Sequence, residues 1–426
     1  MSACGCRHGT ATDGTPAPSV ADPRCPPAPP PAGPAAGSPA LAPALAWFAD
    51  MVQHCHDEAT AAKAAGRPVV GILCEYTPRE LILAAGGLPV CLCGGDVRKI
   101  APAEEVLPSN LCPLIKSTFG YHLSGANPFL EMADLVVAET TCDGKKKMYE
   151  LLAETRPMHV LELPQKPGDP AALDLWIAGL RRLRDELGRR FGVGITDDRL
   201  RGAIRVMNRE RALRRALAER MRRDPPPFTG RELLDLKSLI SCIPADLAQY
   251  EAAIAEADAA PGRADLAGRV RVLLTGVPVV HMAERVVDLI ESHGGVIVCM
   301  ENCTGLKPIV EDVDEDAPDP LRALAEKYLH LPCSVMTPND GRMDLLRRLA
   351  ADYRPDAVIE LIWQACLTYD VESHRVKRLT ETGLGLPYLR IETDYSPSDS
   401  ARIALRVEAL FETVRARQAA RGSTKS

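Results

Sequence analysis

A short unit occurs twice in this sequence. Asp134-Leu135-Val136-Val137 runs toward Cys142, and Asp356-Ala357-Val358-Ile359 runs toward Cys366. Upstream, Leu81-Ile82, Gly86-Gly87 and Cys91 are matched by Leu289-Ile290, Gly294-Gly295 and Cys299. Downstream, the strand ending at Pro164 is matched by Tyr388-Leu389-Arg390-Ile391-Glu392. Short apolar runs bounded by glycine or proline read as buried strands, and longer amphipathic stretches as helices. Strands alternating with helices pack as parallel sheets. The repeat therefore predicts an α/β protein of two Rossmann-like lobes with parallel sheets, related by duplication.

The 426 residues suffice for two or three domains of ~150 residues each. Residues 1–43 are rich in Pro and Ala and predict a disordered tail, whose Cys4, Cys6, His8 and Cys25 could not form a preorganised site. Residues 44–169 form the first lobe, opening with an amphipathic helix from Ala44 to Ala65. Residues 170–262 turn helical and Arg-rich, with helices over 175–191, 197–221 and 230–239. Residues 263–426 restart the α/β pattern.

The net charge of −6 leaves no basic footprint for nucleic acid. No apolar run reaches the ~20 residues of a membrane span, and no leader pattern opens the chain. A cytoplasmic protein is expected. Fourteen cysteines are then better explained by metal binding or catalysis than by disulfides. None forms a Cys-x-x-Cys pair, so a zinc ribbon is not expected.

In open α/β sheets ligands sit beyond the carboxyl ends of the strands. Cys74, Cys112 and Cys142 of the first lobe occupy strand ends or loops, as do Cys303, Cys333 and Cys366 of the second. Cys112 corresponds with Cys333 and Cys142 with Cys366, whereas Cys74 and Cys303 leave different strands. If the lobes face each other, these thiols bracket one inter-lobe cleft. Six thiolates exceed what zinc needs and suit iron–sulfur chemistry. Three per four-iron cubane leave one iron to substrate, water or a bridging sulfide. The alternative is six reduced core cysteines, but core cysteines should lie within strands, as Cys91, Cys93 and Cys299 are expected to. Cys55 and Cys242 read as packing.

The motifs Cys74-Glu75-Tyr76-Thr77-Pro78-Arg79-Glu80-Leu81-Ile82, Cys112 and Thr141-Cys142-Asp143-Gly144-Lys145-Lys146-Lys147 resemble those of 2-hydroxyacyl-CoA dehydratase and benzoyl-CoA reductase subunits. Glu301-Asn302-Cys303-Thr304-Gly305, Leu331-Pro332-Cys333-Ser334-Val335-Met336 and Ala365-Cys366 followed by Thr368-Tyr369 are most similar to the double-cubane cluster branch. Leu367 departs from the histidine expected there, so the resemblance assigns no proton donor at that position. The resemblance implies a double cubane of two linked 4Fe-4S units in the cleft, or alternatively a single 4Fe-4S. It also implies a homodimer, and a separate ATP-hydrolysing iron–sulfur reductase as electron donor to a low-potential reduction of small molecules. The sequence itself carries neither G-x-x-x-x-G-K-[ST] nor G-x-G-x-x-G.

The alternative activity is that of an (R)-2-hydroxyacyl-CoA dehydratase component, and a third reading is an electron carrier. Glu75, Glu139 and Glu301 neighbour the cysteines and are candidate proton relays, with capping or ion pairing as the competing role. Lys145, Lys146 and Lys147 could offset cluster charge or face the reductase. The run Glu311 to Asp316 reads as a solvated loop, and Arg214-Arg215 as solvated helix surface.

Overall fold

The computed structural model describes residues 42–259 and 261–423; the predicted tail up to residue 41, with its cysteines, lies outside them. The predicted opening helix is two, α1 (Ala42–Ala49) and α2 (Met51–Ala64), parted at Asp50. They bury Ala44, Phe48, Met51, Cys55 and Ala59. The first sheet comprises β1 (Val69–Ile72), β2 (Leu88–Cys91), β3 (Leu135–Glu139) and β4 (Met158–Leu161). Between them run α3 (Arg79–Ala84), α4 (Ile100–Glu104), α5 (Pro113–Leu123), α6 (Pro128–Met132) and α7 (Asp143–Ala153).

The helical segment holds α8 (Ala172–Phe191), α9 (Asp197–Arg220) and α10 (Gly230–Asp235) as expected. It also holds α11 (Pro244–Ala259), which the sequence pattern did not single out. The second sheet has β5 (Val270–Gly276), β6 (Gly295–Met300), β7 (Ala357–Trp363) and β8 (Tyr388–Thr393), with α12 (Arg285–Ser292), α13 (Pro320–Leu329), α14 (Asp340–Tyr353) and α15 (Leu367–Arg378) between strands. The last helix is α16 (Ser400–Ser423).

Both sheets are all-parallel with the same order, β2-β1-β3-β4 and β6-β5-β7-β8. The two Rossmann-like lobes expected from the repeat are present. β1, β3, β5, β6 and β7 are buried along their whole length, which is why they read as continuous apolar runs. The repeated aspartates have one job. Asp134 accepts the Val69 N–H at 2.9 Å and Asp356 accepts the Arg271 N–H at 2.9 Å, so each carboxylate fixes the start of its lobe's first strand. Each sheet reverses its winding between its first and third strands, at β1/β3 and β5/β7. That reversal opens the crevice where ligands bind in such folds.

The acidic loop is not merely solvated. Asn208 of α9 donates to the Val313 carbonyl and to Glu315 Oε1, both at 2.8 Å, and Arg215 holds Asp312 at 2.6 and 2.8 Å. Arg201 donates to the carbonyls of Glu315, Ala317 and Pro318. Charges that looked like two separate solvated surfaces are thus partly each other's partners. No helix among the described residues is long and apolar enough to cross a membrane.

Candidate functional site

Three of the predicted cysteines stand at helix starts. Cys112, Cys142 and Cys366 are the N-caps of α5, α7 and α15. At such a position the free N–H groups of the first turn face the side chain and favour negative charge. The N–H groups of Leu114 and Ile115 face the Cys112 sulfur, that of Lys145 faces Cys142, and that of Tyr369 faces Cys366. The opening helical turn of α7 begins at Asp143 itself, and β3 ends three residues before Cys142. Cys112 and Cys366 act on each other directly, which lowers Cys112 and raises Cys366, and burial works against the first and with the second. Charge on Cys142 is felt by Cys112, and charge on Cys366 by Cys142. These three belong to one neighbourhood, although two come from the first lobe and one from the second.

The other three lie in loops. Cys74 lies two residues beyond β1, Cys303 sits in the tight turn after β6, and Cys333 lies between α13 and α14. The Cys303 turn is closed by the Gly305 N–H on the Asn302 carbonyl at 3.0 Å and by the Asn302 amide on the Val277 carbonyl at 3.1 Å. Tyr76 reaches across the lobes and donates to the Leu331 carbonyl at 2.8 Å, seating the Cys74 loop against the Cys333 loop. Burial pushes the Cys74 thiol well up, with Cys303 and Cys333 adding to the push; burial takes Cys303 to about 12. The two trios adjoin. Charge on Cys333 is felt at Cys142, and Ser334 donates to Thr368 Oγ1 at 2.9 Å.

Two lysines turn inward. Lys145 donates to the Leu73 carbonyl at 2.6 Å. Burial pulls its pKa down, but Tyr149, Cys74, Cys93 and Cys142 outweigh that and hold it well above the ordinary value. Lys146 and Lys147 point outward to Asp143 and Glu150 and are surface groups. The second cation, Lys307, was not anticipated. It is 2% exposed, donates to the Tyr369 hydroxyl at 2.8 Å and pairs with Glu301 at 3.1 Å. Only the turn Thr304-Gly305 before it hinted that the chain doubles back there.

The three carboxylates part ways. Against the upward push of burial, Arg79 at 2.8 and 3.0 Å holds Glu75 below the usual range. Against the same push, Lys307 and Arg342 hold Glu301 down. Glu139 has no ion pair among the described residues. Thr77 donates to its Oε1, its Oε2 has no hydrogen-bond partner, and burial raises it to about 8. It is the one candidate that carries a proton at neutral pH. Leu367 is 71% exposed at the start of α15 and faces solvent.

Two cysteines differ from the sequence-based expectation. β2 ends at Cys91, so Cys93 lies beyond it, and both are half-buried. Cys93 donates to the same Leu73 carbonyl as Lys145, at 3.6 Å. The shared strand order makes β2 the equivalent of β6, so Cys93, like Cys303, lies just beyond its strand, although not at the same position. Gly95 follows it because a Cβ there would sit 2.1 Å from the His281 carbonyl oxygen, where the lobes meet. Cys299 is buried in β6 as expected, and Cys55 packs beside Ser238.

Among the described residues no three His, Cys, Asp or Glu side chains are placed to hold a metal ion. The thiols are gathered without closing on one centre. Their chemistry nevertheless fits an iron–sulfur group. The set is all thiol, soft ligands suit iron–sulfur clusters, and bound metal deprotonates thiols that burial otherwise keeps neutral.

A family model described as 2-hydroxyglutaryl-CoA dehydratase, D-component, matches residues 74–414. The chain is 42% identical over 363 residues to the Escherichia coli protein named "Putative dehydratase subunit YjiM", covering 82% of this chain and 92% of that one. It is 22% identical over 364 residues to the (R)-phenyllactyl-CoA dehydratase beta subunit of Clostridium sporogenes, covering 84% and 94%. A benzoyl-CoA reductase subunit of Thauera aromatica is 31% identical over 151 residues, covering 34% of this chain and 38% of that one.

Proposed function

This chain belongs to the 2-hydroxyglutaryl-CoA dehydratase D-component family, and we propose that it is the iron–sulfur component of an (R)-2-hydroxyacyl-CoA dehydratase-type enzyme. The relatives named as dehydratase subunits, matched over most of their length, carry this reading ahead of reduction of small molecules. Cys74, Cys112, Cys142, Cys303, Cys333 and Cys366 are the thiols that would hold the cluster. When bound, such a cluster supplies one-electron chemistry at low potential. The chain's own part is to deliver thiolates, to place Lys145 and Lys307 against their negative charge, and to keep a proton on Glu139. Electrons come from a separate ATP-hydrolysing iron–sulfur reductase, and the protein works as a cytoplasmic dimer.

One observation favours a second reading, the double-cubane reductase. Both trios come from a single chain and adjoin, which provides ligands for two linked 4Fe-4S units. Anaerobic iron and sulfide analysis with electron paramagnetic resonance separates the two, at about four irons per chain for one cubane and about eight for a double cubane. Turnover is then assayed with 2-hydroxyacyl-CoA thioesters and with acetylene or hydrazine, with and without the ATPase and ATP. Thioester turnover supports the dehydratase. Eight irons with acetylene reduction that requires ATP replaces it with the reductase. Equal rates without the ATPase overturn ATP coupling in both.

A further inference from the structure

The edge strand β2 runs out on a pair of thiols. Val90 and Leu92 are buried, whereas Cys91 and Cys93, on the alternate positions, are half-buried. The backbone between them is held from both sides. The Cys91 N–H donates to the Leu239 carbonyl at 2.8 Å, and the Leu92 N–H donates to the Ile72 carbonyl of β1 at 3.0 Å. Extended residues two apart turn their side chains to one side, and these two thiols act on each other directly. At ~3.3 Å per residue their Cα atoms are about 6.5 Å apart, near the upper end of the ~4.4–6.8 Å that a disulfide spans. A bond closed there is strained and readily reduced again.

The two thiols are also unequal. Contact with Cys93 brings Cys91 down to about 7, against burial and Glu75 and with help from Arg79. Contact with Cys91, and then burial, hold Cys93 well above the ordinary thiol range. Lys237, 3.8 Å from Glu284, adds a second cation that feels charge on Cys91. Such surroundings favour one thiolate beside one thiol, the pairing that thiol–disulfide exchange uses.

We propose that Cys91 and Cys93 form a reversible dithiol–disulfide site that reacts with low-molecular-weight disulfides of the glutathione class. The Cys91 thiolate attacks one sulfur of the small disulfide, breaks its S–S bond and releases one thiolate. Cys93 gives up its proton and attacks the Cys91 sulfur, which closes the Cys91–Cys93 bond and releases the second thiolate. Two protein thiols are oxidised, one small disulfide is reduced to two thiols, and both protein protons end on those thiols. The Cys93 thiol donates to the Leu73 carbonyl at 3.6 Å, so closure removes a hydrogen bond beside Cys74. None of the six cluster thiols takes part, and the site is independent of which cluster they hold.

The tryptic peptide Glu80–Arg98 contains these two cysteines and no others, which makes the test direct. The holoprotein is equilibrated anaerobically with mixtures of oxidised and reduced glutathione, quenched with N-ethylmaleimide and digested. Oxidising mixtures should give a peptide lighter by two hydrogens and without label, and reducing mixtures a doubly labelled one, at constant iron content. A peptide doubly labelled in every mixture, or one carrying two glutathiones, overturns the proposal. With oxidised glutathione, Cys93→Ser should accumulate a mixed disulfide at Cys91 faster than Cys91→Ser does at Cys93. The reverse order overturns the role of Cys91 as attacking thiol, and should either variant fail to fold, the wild-type peptide decides alone.

Discussion

The two cysteine trios solve the same problem by different means. Cys112, Cys142 and Cys366 sit at helix N-termini, where backbone N–H groups already face sulfur. Cys74, Cys303 and Cys333 sit in loops without a helix start, and buried side chains stand where the backbone does not. Tyr76 and Tyr369 flank this trio, and Lys307 brings its charge to Cys303. The first trio is preorganised by local structure, because a helix start needs only its own few residues. The second depends on contacts between residues hundreds of positions apart, as the Tyr76–Leu331 bond shows. Ligand loss in the first should therefore act on its own site, whereas changes behind the second should spread.

Cys142→Ser or Cys366→Ser should have the largest effect. Each should lose the iron held by the helix-capping trio, about half of the total if two cubanes are bound and nearly all if there is one. Cys91→Ser and Cys242→Ser should keep it. Full iron in both Cys142→Ser and Cys366→Ser would dissolve the comparison.

Glu301→Gln should come next. It leaves Lys307 without its carboxylate while Arg342 keeps Glu360 and Glu372, and breaking such a buried pair costs about 3–5 kcal/mol. Glu139→Gln, at the end of β3, should cost little, because burial already raises that group to about 8. Equal losses of denaturation midpoint in the two variants would show that the carboxylates do the same work.

Lys307→Met should shift the midpoint potential of the cluster signal downward by roughly 60 mV, equivalent to a tenfold change in a one-electron equilibrium. Redox titration by electron paramagnetic resonance measures it, and an unmoved potential would show that Lys307 serves folding alone. The smallest effect is expected from Tyr76→Phe. Removing its hydroxyl strands the Leu331 carbonyl and should cost about 1–2 kcal/mol. Iron should then exchange faster from the loop trio than from the helix-capping trio. Uniform exchange would show that the trios are held as one unit.

Much of the site was legible because its signals are local. The six cysteines stood out by position, Cys142 and Cys366 by their identical setting after the third strand of each sheet. Cys112 and Cys333 looked equivalent but are not, since Cys112 caps α5 whereas Asn339, beyond Cys333, precedes α14. Lys307 gave almost no signal, because a lysine in a turn is ordinarily solvated and its burial follows from Glu301 and Tyr369. Lys145 could not be told from Lys146 and Lys147 without the helix phase that α7 imposes.

The sequence by itself determined the two parallel sheets, the repeated unit and the strand-end cysteines. Hydrophobic period, glycine turns and repeated aspartates act within a few residues, so the chain order records them. Only the tertiary structure decided which cysteines share a neighbourhood, which lysine turns inward and which glutamate keeps its proton. Those outcomes depend on burial and on charges brought from other elements, and desolvation and Coulomb energy follow distance in space rather than along the chain.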